Sequence, residues 1–330
     1  MTHYQIIGQG IAGTVLSMQM MQRGIRHTIH DNPELSSSSR VAAGLVNPIV
    51  LKRLRLVHEA SFFYNGLVDF YRHWEKELSA SFFHEAPIRH IFQSQAEQNA
   101  WMAKSDNPAF KPFMGPVSLN NNSHIQASFG FGETRNTFWL DTAALLKIYR
   151  NFMYDQDLYR EGNIDPIAHA NEPHRIWCMG HLQRNSYLPD NIFSPTKGEL
   201  LIIHSEELQS KDVWHAGVFI LPLGNDLFKV GSTYAWDELD DFPTKAGRKK
   251  IEKEFRKIFS GNYSVVDHYA GVRPNIRDRK PIIGQWQGIH IFNGLGSRGV
   301  LLAPQLANLY LDFLIDGKSL PDAYDINRFT

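Results

Sequence analysis

Residues 4–31 constrain the fold more than any other part of the chain. "YQII" (4–7) is a short apolar run that ends at Gly8, and "IAGTVLSMQMMQ" (11–22) is apolar at helical spacing and closed by Arg23-Gly24. "HTIHD" (27–31) then reads as a second strand. Strand, glycine turn, helix and strand within about thirty residues is the context in which Gly8-x-Gly10-x-x-Gly13 becomes a nucleotide turn rather than a loop. Gly8 permits the tight turn, Gly10 lets the backbone approach a pyrophosphate, and Gly13 lets the helix pack on the strand. The helix start at Ile11 and Ala12 offers N–H groups to phosphate. Asp31, at the end of the second strand, is placed to accept hydrogen bonds from a ribose hydroxyl pair. The pattern alone does not separate FAD from NAD.

The same spacing recurs near the chain end, in "GLGSRGVLLAP" (294–304), at Gly294, Gly296 and Gly299. "GIHIFNG" before it alternates like a strand, and the residues from Gly299 onward form an amphipathic helical pattern ended by Gly317. A second dinucleotide unit would need another strand with an acid, yet only the polar "KSLPDAYDINRFT" remains. The tail turn therefore does something else. A helix start is electropositive and rich in free N–H donors. It suits a charge-accumulating group of the same ligand, such as the N1–C2=O edge of a flavin. One ligand gripped at both ends points to FAD.

The remaining bounds are loose. The 330 residues suit two lobes, and 34 basic against 34 acidic side chains give no net charge and no reason to expect nucleic acid or anionic lipid. One cysteine, Cys178, excludes disulfides within the chain and Cys-based zinc sites, and the 15 histidines show no metal spacing, so no metal is expected. An apolar strand that begins at Tyr4 leaves no room for a signal peptide, and no run approaches the roughly 20 residues of a membrane helix. A cytoplasmic protein without membrane contact is the expectation.

With both turns in hand, the sequence resembles the FAD-dependent oxidoreductases of the D-amino acid oxidase and glycine oxidase type. The resemblance spans nearly the whole chain. It rests on "IIGQGIAG…IHD", "SSSSRVAAGLVNP" (36–48), "FWLDTAALL" (138–146), "RIWCMGH" (175–181), "KGELL" (197–201), "FKVGSTYAWDELDD" (228–241), "GVRPNIRDRKPIIG" (271–284) and the tail block. "GLGSRG", "VRP…RDRKPIIG" and "KGELL" look most similar to the FAD domain of the bifunctional tRNA 5-methylaminomethyl-2-thiouridine biosynthesis protein. Two departures stand out. Some relatives hold flavin covalently on a cysteine, whereas Cys178 lies in a strand block, so non-covalent FAD is expected. Glycine oxidases read Gly-His-x-Arg-Asn-Gly in the tail, whereas Arg298 here is displaced by one position.

The resemblance implies an α/β fold, with a Rossmann-like FAD-binding domain from residues 1–60, 138–197 and 265–330. Residues 61–137 and 198–264 would form an α+β substrate domain with an antiparallel sheet. Strands are expected in "GELLIIH", "HAGVFILPLG" and "DLFKVGSTY", and an amphipathic helix across 61–78. The resemblance puts Ser38, Ser39, Arg40, Ala43 and Gly44 on the pyrophosphate and towards the flavin, Gly180 beside the cofactor, and Gly294, Gly296, Ser297, Arg298, Gly299 and Val300 at the flavin. Arg273 resembles the family arginine that takes the substrate carboxylate in a bidentate pair, for which the guanidinium fork is suited. Arg298 assists the flavin or binds substrate, and Asp278 anchors its own turn.

The implied activity is oxidation of the C–N bond of a small amine or amino acid by hydride transfer to flavin N5, the imine then hydrolysing, with oxygen a candidate acceptor. Two other readings stand beside it. One is a flavin-dependent tRNA-modifying enzyme that removes a carboxymethyl group from a modified wobble uridine. It would bind a tRNA through the basic segment "KAGRKKIEKEFRKIF" (245–259), whose Ile251, Phe255, Ile258 and Phe259 fall at helical spacing. The other is a non-catalytic nucleotide-binding protein, which would hold a nucleotide and oxidise no amine.

Overall fold

A computed structural model describes residues 2–119, 124–165, 172, 174–185, 188 and 191–330. Its first large sheet has six strands, in the order Tyr159–Glu161, His27–Asp31, Tyr4–Ile7, Arg175–Trp177, Ile289–Asn293 and Ile282–Trp286. The first five are parallel and the last runs antiparallel to its neighbour. Parallel strands are covered on both faces, which accounts for the complete burial of Ile6, Ile29, Ile176 and Ile291. The N-terminal helix Ile11–Gln22 and the tail helix Gly299–Asp316 have the expected limits, and Gly317 closes the latter at φ +67°.

Pro304 lies inside the tail helix, where it lacks the N–H that Val300 carbonyl would otherwise receive. The hydroxyl of buried Tyr71 donates to that carbonyl at 2.8 Å. Tyr71 comes from the segment expected to be one helix across 61–78. That helix is in fact two, Ala60–Tyr64 and Leu67–Glu77, because Gly66 takes a left-handed φ of +69° between them. Phe63, Leu67, Tyr71 and Trp74 share one core with Ile6, Val15 and Leu306, so these helices cover the nucleotide side of the molecule.

The second large sheet has eight strands, in the order Ser264–Arg273, Thr196–His204, Leu227–Gly231, Val218–Gly224, Val213–Ala216, Ile88–Ile91, Phe131–Thr134 and Met114–Ser118. All neighbours are antiparallel except Val213–Ala216 with Ile88–Ile91. The single strand expected across 215–224 is a hairpin, since Gly217 at φ +73° turns the chain. One face of this sheet, with Trp214, Ala216, Val218 and Val230, packs on Ile251, Phe255, Ile258 and Phe259 from helix Lys245–Arg256 and the turn after it. The other face looks into a cleft. The arrangement is the expected α/β class, Rossmann-like with an antiparallel second sheet. Among the described residues no helix is long and apolar enough to cross a membrane.

Candidate active site

The two glycine turns meet. A Cβ on Gly299 would stand 2.6 Å from Ile11 Cγ2, so the tail helix starts against the start of the N-terminal helix. Both follow parallel strands of one sheet, with only Arg175–Trp177 between them. Their free N–H groups therefore open on one space at the carboxyl ends of the strands, where α/β sheets take ligands.

At the N-terminal turn Gly8 has φ +101° and donates its N–H to His30 carbonyl at 2.8 Å. A Cβ on Gly13 would run into Gly8 carbonyl, which is the helix-on-strand contact expected of that glycine. Ile11 N–H donates to Ser39 Oγ at 3.0 Å, so the serine segment closes directly over the helix start. Ser36 Oγ, in the same segment, lines the cleft, buried and without a partner among the described residues. Asp31 accepts from Gln9 N–H at 3.0 Å and from Tyr159 hydroxyl at 3.3 Å. Arg40 and Arg150 approach it at 3.7 and 3.8 Å. Arg40 also donates to the carbonyls of Pro33 and Leu35, so it braces its own loop as well as lining the cleft.

The serine segment forms the short helix Ser38–Val41, which packs on Gly271 of the second sheet. Gly44, at φ +68°, lies flat on Leu140 carbonyl, where a Cβ has no space. Next to Ala43, Ala42 carbonyl accepts from Lys229 Nζ at 3.0 Å. Burial lowers the pKa of Lys229, opposed by Asp141.

The tail turn is built differently. Gly294 and Gly296 have φ of +78° and +56°, and residues Gly296–Arg298 form a tight turn before the helix. Buried Asn293 holds it: the side-chain amide donates to Gly180 carbonyl at 3.0 Å and Gln183 Oε1 at 2.6 Å, and Oδ1 accepts from Gly294 N–H at 2.7 Å. Asn275, two residues after Arg273, fills the space where Gly296 would carry a Cβ.

Every residue expected at the cofactor or substrate lines one cleft of about 1760 Å³, Gly13 excepted because it packs behind the turn. A pocket for one small ligand is typically about 300–1,000 Å³. This one has room for a dinucleotide and a second molecule.

Arg273 and Arg298 are the cations of that cleft. The Arg273 guanidinium lies on the bare backbone of Gly198, in the volume a Cβ would take, with the Tyr234 ring 4.3 Å from its centre on the other side. It donates to Ser232 Oγ at 2.8 Å and Thr233 carbonyl at 3.3 Å. Arg298 donates to Asn47 carbonyl at 3.3 Å. Burial lowers the pKa of both, Tyr234 opposes, and Arg55 adds to the lowering at Arg298. A guanidinium nonetheless stays charged. Among the described residues neither arginine has a carboxylate partner. A partly buried cation without an anion is unfavourable, and a carboxylate ligand would offset that.

"KGE" in the strand Thr196–His204 alternates faces. Lys197 points away from the cleft to Asp240 at 2.5 Å, Gly198 floors Arg273, and Glu199 accepts from Thr244 N–H and hydroxyl at 2.8 and 2.9 Å at the start of helix Lys245–Arg256. Lys249, Lys250 and Lys253 are exposed on that helix, which covers the sheet face turned away from the cleft. Asp278 accepts from Lys280 N–H and pairs with Arg328, as expected of a turn anchor. Cys178 is buried behind Gly8, and burial pushes its thiol pKa up.

The sequence did not mark Arg150, Asn275, Asn293, Tyr234 or Tyr71. Asn275 and Tyr234 lie inside the quoted blocks and Asn293 directly before Gly294, but nothing in those patterns sets them apart, and Arg150 and Tyr71 reach the site through long-range contacts.

Residues 160–312 match the family described as FAD dependent oxidoreductase. A glycine oxidase of Bacillus subtilis (strain 168) is 28% identical over 148 residues, which is 42% of this chain and 40% of that protein. The sequence match thus spans less than half of that relative's length. Among solved structures, glycine oxidase from Geobacillus kaustophilus superposes with a TM-score of 0.79 at 14% identity, covering 100% of this chain and 98% of that one. L-proline dehydrogenase from P. horikoshii gives 0.81 at 13%, covering 99% and 97%. At such identities the likeness is one of fold. Residues 160–312, just under half of the chain, thus resemble a domain of the FAD-dependent oxidoreductase family, and part of the chain is similar in sequence to a glycine oxidase.

Proposed function

We propose that this chain is an FAD-dependent oxidoreductase that oxidises the C–N bond of a small carboxylate-bearing amine or amino acid, with oxygen as acceptor. The supporting observation is Arg273, a half-buried guanidinium held between Gly198 and Tyr234 with no carboxylate partner among the described residues. The cleft residues fit FAD in three respects. Ser36 Oγ lines the cleft with no partner among the described residues, Gly10 turns bare backbone toward the Ser37 and Ser39 hydroxyls, and two helix starts share one space. In this reading Gly8–Ala12 and Ser38–Gly44 hold the pyrophosphate, Asp31 holds the ribose of the adenosine, and Gly294–Val300 lie at the flavin. The proposed FAD-binding domain is 1–60, 138–197 and 265–330 and the substrate domain 61–137 and 198–264, although helices Ala60–Tyr64 and Leu67–Glu77 pack on the nucleotide-side core and strand Ser264–Arg273 belongs to the second sheet.

When bound, FAD supplies the two-electron acceptor. The chain's own residues supply placement. Arg273 fixes the carboxylate by a bidentate pair and so orients the α carbon, where a small misplacement is costly in rate. The N–H groups at the start of the tail helix favour negative charge nearby. Tyr234 covers the guanidinium and excludes water from it.

The test is the absorbance spectrum of the purified protein, then anaerobic addition of glycine, sarcosine, proline or a D-amino acid. A yellow protein that bleaches with one of them, and releases peroxide in air, is the expected result. A protein that stays colourless after reconstitution with FAD overturns the proposal.

A further inference from the structure

The cleft extends well past Arg273. Register pairing puts Leu200, Gly231, Phe219, His215 and His90 in one row across the eight-stranded sheet. Residues paired in this way project from the same face. Gly198, under the Arg273 guanidinium, lies on Leu200's strand two residues away and therefore on that face too. His215 is three strands from Leu200, or about 14 Å at the usual strand spacing.

His90 and His215 line the cleft, with their Nδ1 atoms 3.2 Å apart. Two imidazoles in that contact place one proton between them: one Nδ1–H donates and the other Nδ1 accepts. In the neutral pair one Nε2 is then bare and the other carries a hydrogen. No side chain among the described residues pairs with either Nε2, and the His215 backbone interacts with both rings. Burial, then His90, lowers the pKa of His215 to about 3, and burial lowers His90, with Glu97 opposing. The pair is therefore uncharged at neutral pH. Glu97 and Lys104, one of each sign, line the cleft nearby, whereas the other end holds Arg273, Arg298 and Arg55. A molecule lying along this floor meets cations at one end and a neutral donor and acceptor at the other.

We propose that His90 and His215 form a distal recognition subsite for a neutral hydrogen-bonding group, of carboxamide type, on an extended substrate whose carboxylate sits at Arg273. The proposal rests on the reading of Arg273 given above. It makes glycine-sized amines the minimal substrates, which use only one end of the floor.

The test uses the FAD-loaded protein and two synthetic secondary amines. Each carries a carboxymethyl group and an arm of about 14 Å, ending in a carboxamide in one and in isosteric isopropyl in the other. The expected KM is about tenfold lower for the carboxamide probe at similar kcat, the size of one well-made hydrogen bond. His215→Phe should abolish that preference, and His215→Gln, which keeps a donor and an acceptor, should retain part of it. In the unmodified protein the imidazole nitrogen NMR signals of the pair should shift with the carboxamide probe and not with the other, a readout independent of turnover. Equal KM for the two probes, or no imidazole shift, overturns the distal subsite even if sarcosine is oxidised. An imidazole shift without flavin bleaching by either probe or by sarcosine supports the subsite and sinks the oxidase reading instead.

Discussion

The N-terminal and tail turns share one spacing of glycines and almost nothing else. In the first, only Gly8 has a left-handed φ, Gly10 is extended, and the helix starts three residues after Gly8. In the second, Gly294 and Gly296 are both left-handed and the helix starts five residues after Gly294. The extra turn makes Arg298 the residue that caps the tail helix, with its side chain in the cleft. The first turn is mostly local, with its strand, helix and Asp31 all within residues 4–31. The second is held from afar by Asn293 to Gly180 and Gln183, by Asn275, and by Arg298 to Asn47. A motif written as spacing thus describes two different backbones, and the surroundings decide which one forms.

The largest expected effect separates the turns by rigidity. Gly13→Val drives a Cβ into the Gly8 carbonyl, with no side chain able to move aside. We expect a loss of about 3 kcal/mol or more, and no yellow protein on purification. Gly296→Ala meets the Asn275 side chain at 2.6 Å and should cost about 1–2 kcal/mol, with FAD retained. Denaturant titration of both variants checks this, and equal losses would break the comparison.

Next comes Arg273→Met. Removing the partner of a buried carboxylate should lower kcat/KM for carboxylate-bearing amines by about 10²–10³. Because the guanidinium has no anionic partner among the described residues, Tm should hold or rise. A fall in Tm with unchanged kinetics would make Arg273 a structural residue.

The pH dependence tests the tail side. His181, on the turn that Asn293 grips, has its pKa lowered to about 4 by burial and by Arg184, with Asp241 opposing. Unfolded, it takes a proton near pH 6.5. Between pH 6.5 and 4 the unfolded state binds more protons, so stability is full above pH 6.5 and falls as pH drops. The loss is about 2 kcal/mol at pH 5 for this imidazole. Urea midpoints at pH 7 and pH 5, with and without His181→Asn, measure it, and a variant with the same pH slope refutes the assignment.

The smallest effect concerns the helix behind Arg298. Tyr71→Phe leaves Val300 carbonyl without a donor beside Pro304 and should cost about 1 kcal/mol, read as a lower Tm.

Much of the nucleotide side was legible because its signals are short-range. The strands at 4–7 and 27–31 and both long helices follow from apolar periodicity bounded by glycine, and Asp31 follows from its place at a strand end. Local signals misled where one glycine cut an otherwise periodic run, at Gly66 and at Gly217, since periodicity averages over a residue whose φ breaks the chain direction. Arg150 at Asp31 and Tyr71 at Val300 carry no local mark, and Asn275, though inside the block 271–284, carries none that points to Gly296. Each is defined by what it touches more than 20 residues away.

Local sequence was enough for both long helices and for the chemistry at hand: two helix starts, an acid at a strand end, and two arginines, one ending a strand and one in a turn. Long-range packing is what brings those helix starts together at Ile11 and Gly299, and puts Arg273 between Gly198 and Tyr234 with no carboxylate partner among the described residues. The physical reason is range. Backbone propensity and periodicity act over a few residues, whereas a site is made by burial, and burial depends on which distant surfaces the whole chain brings together.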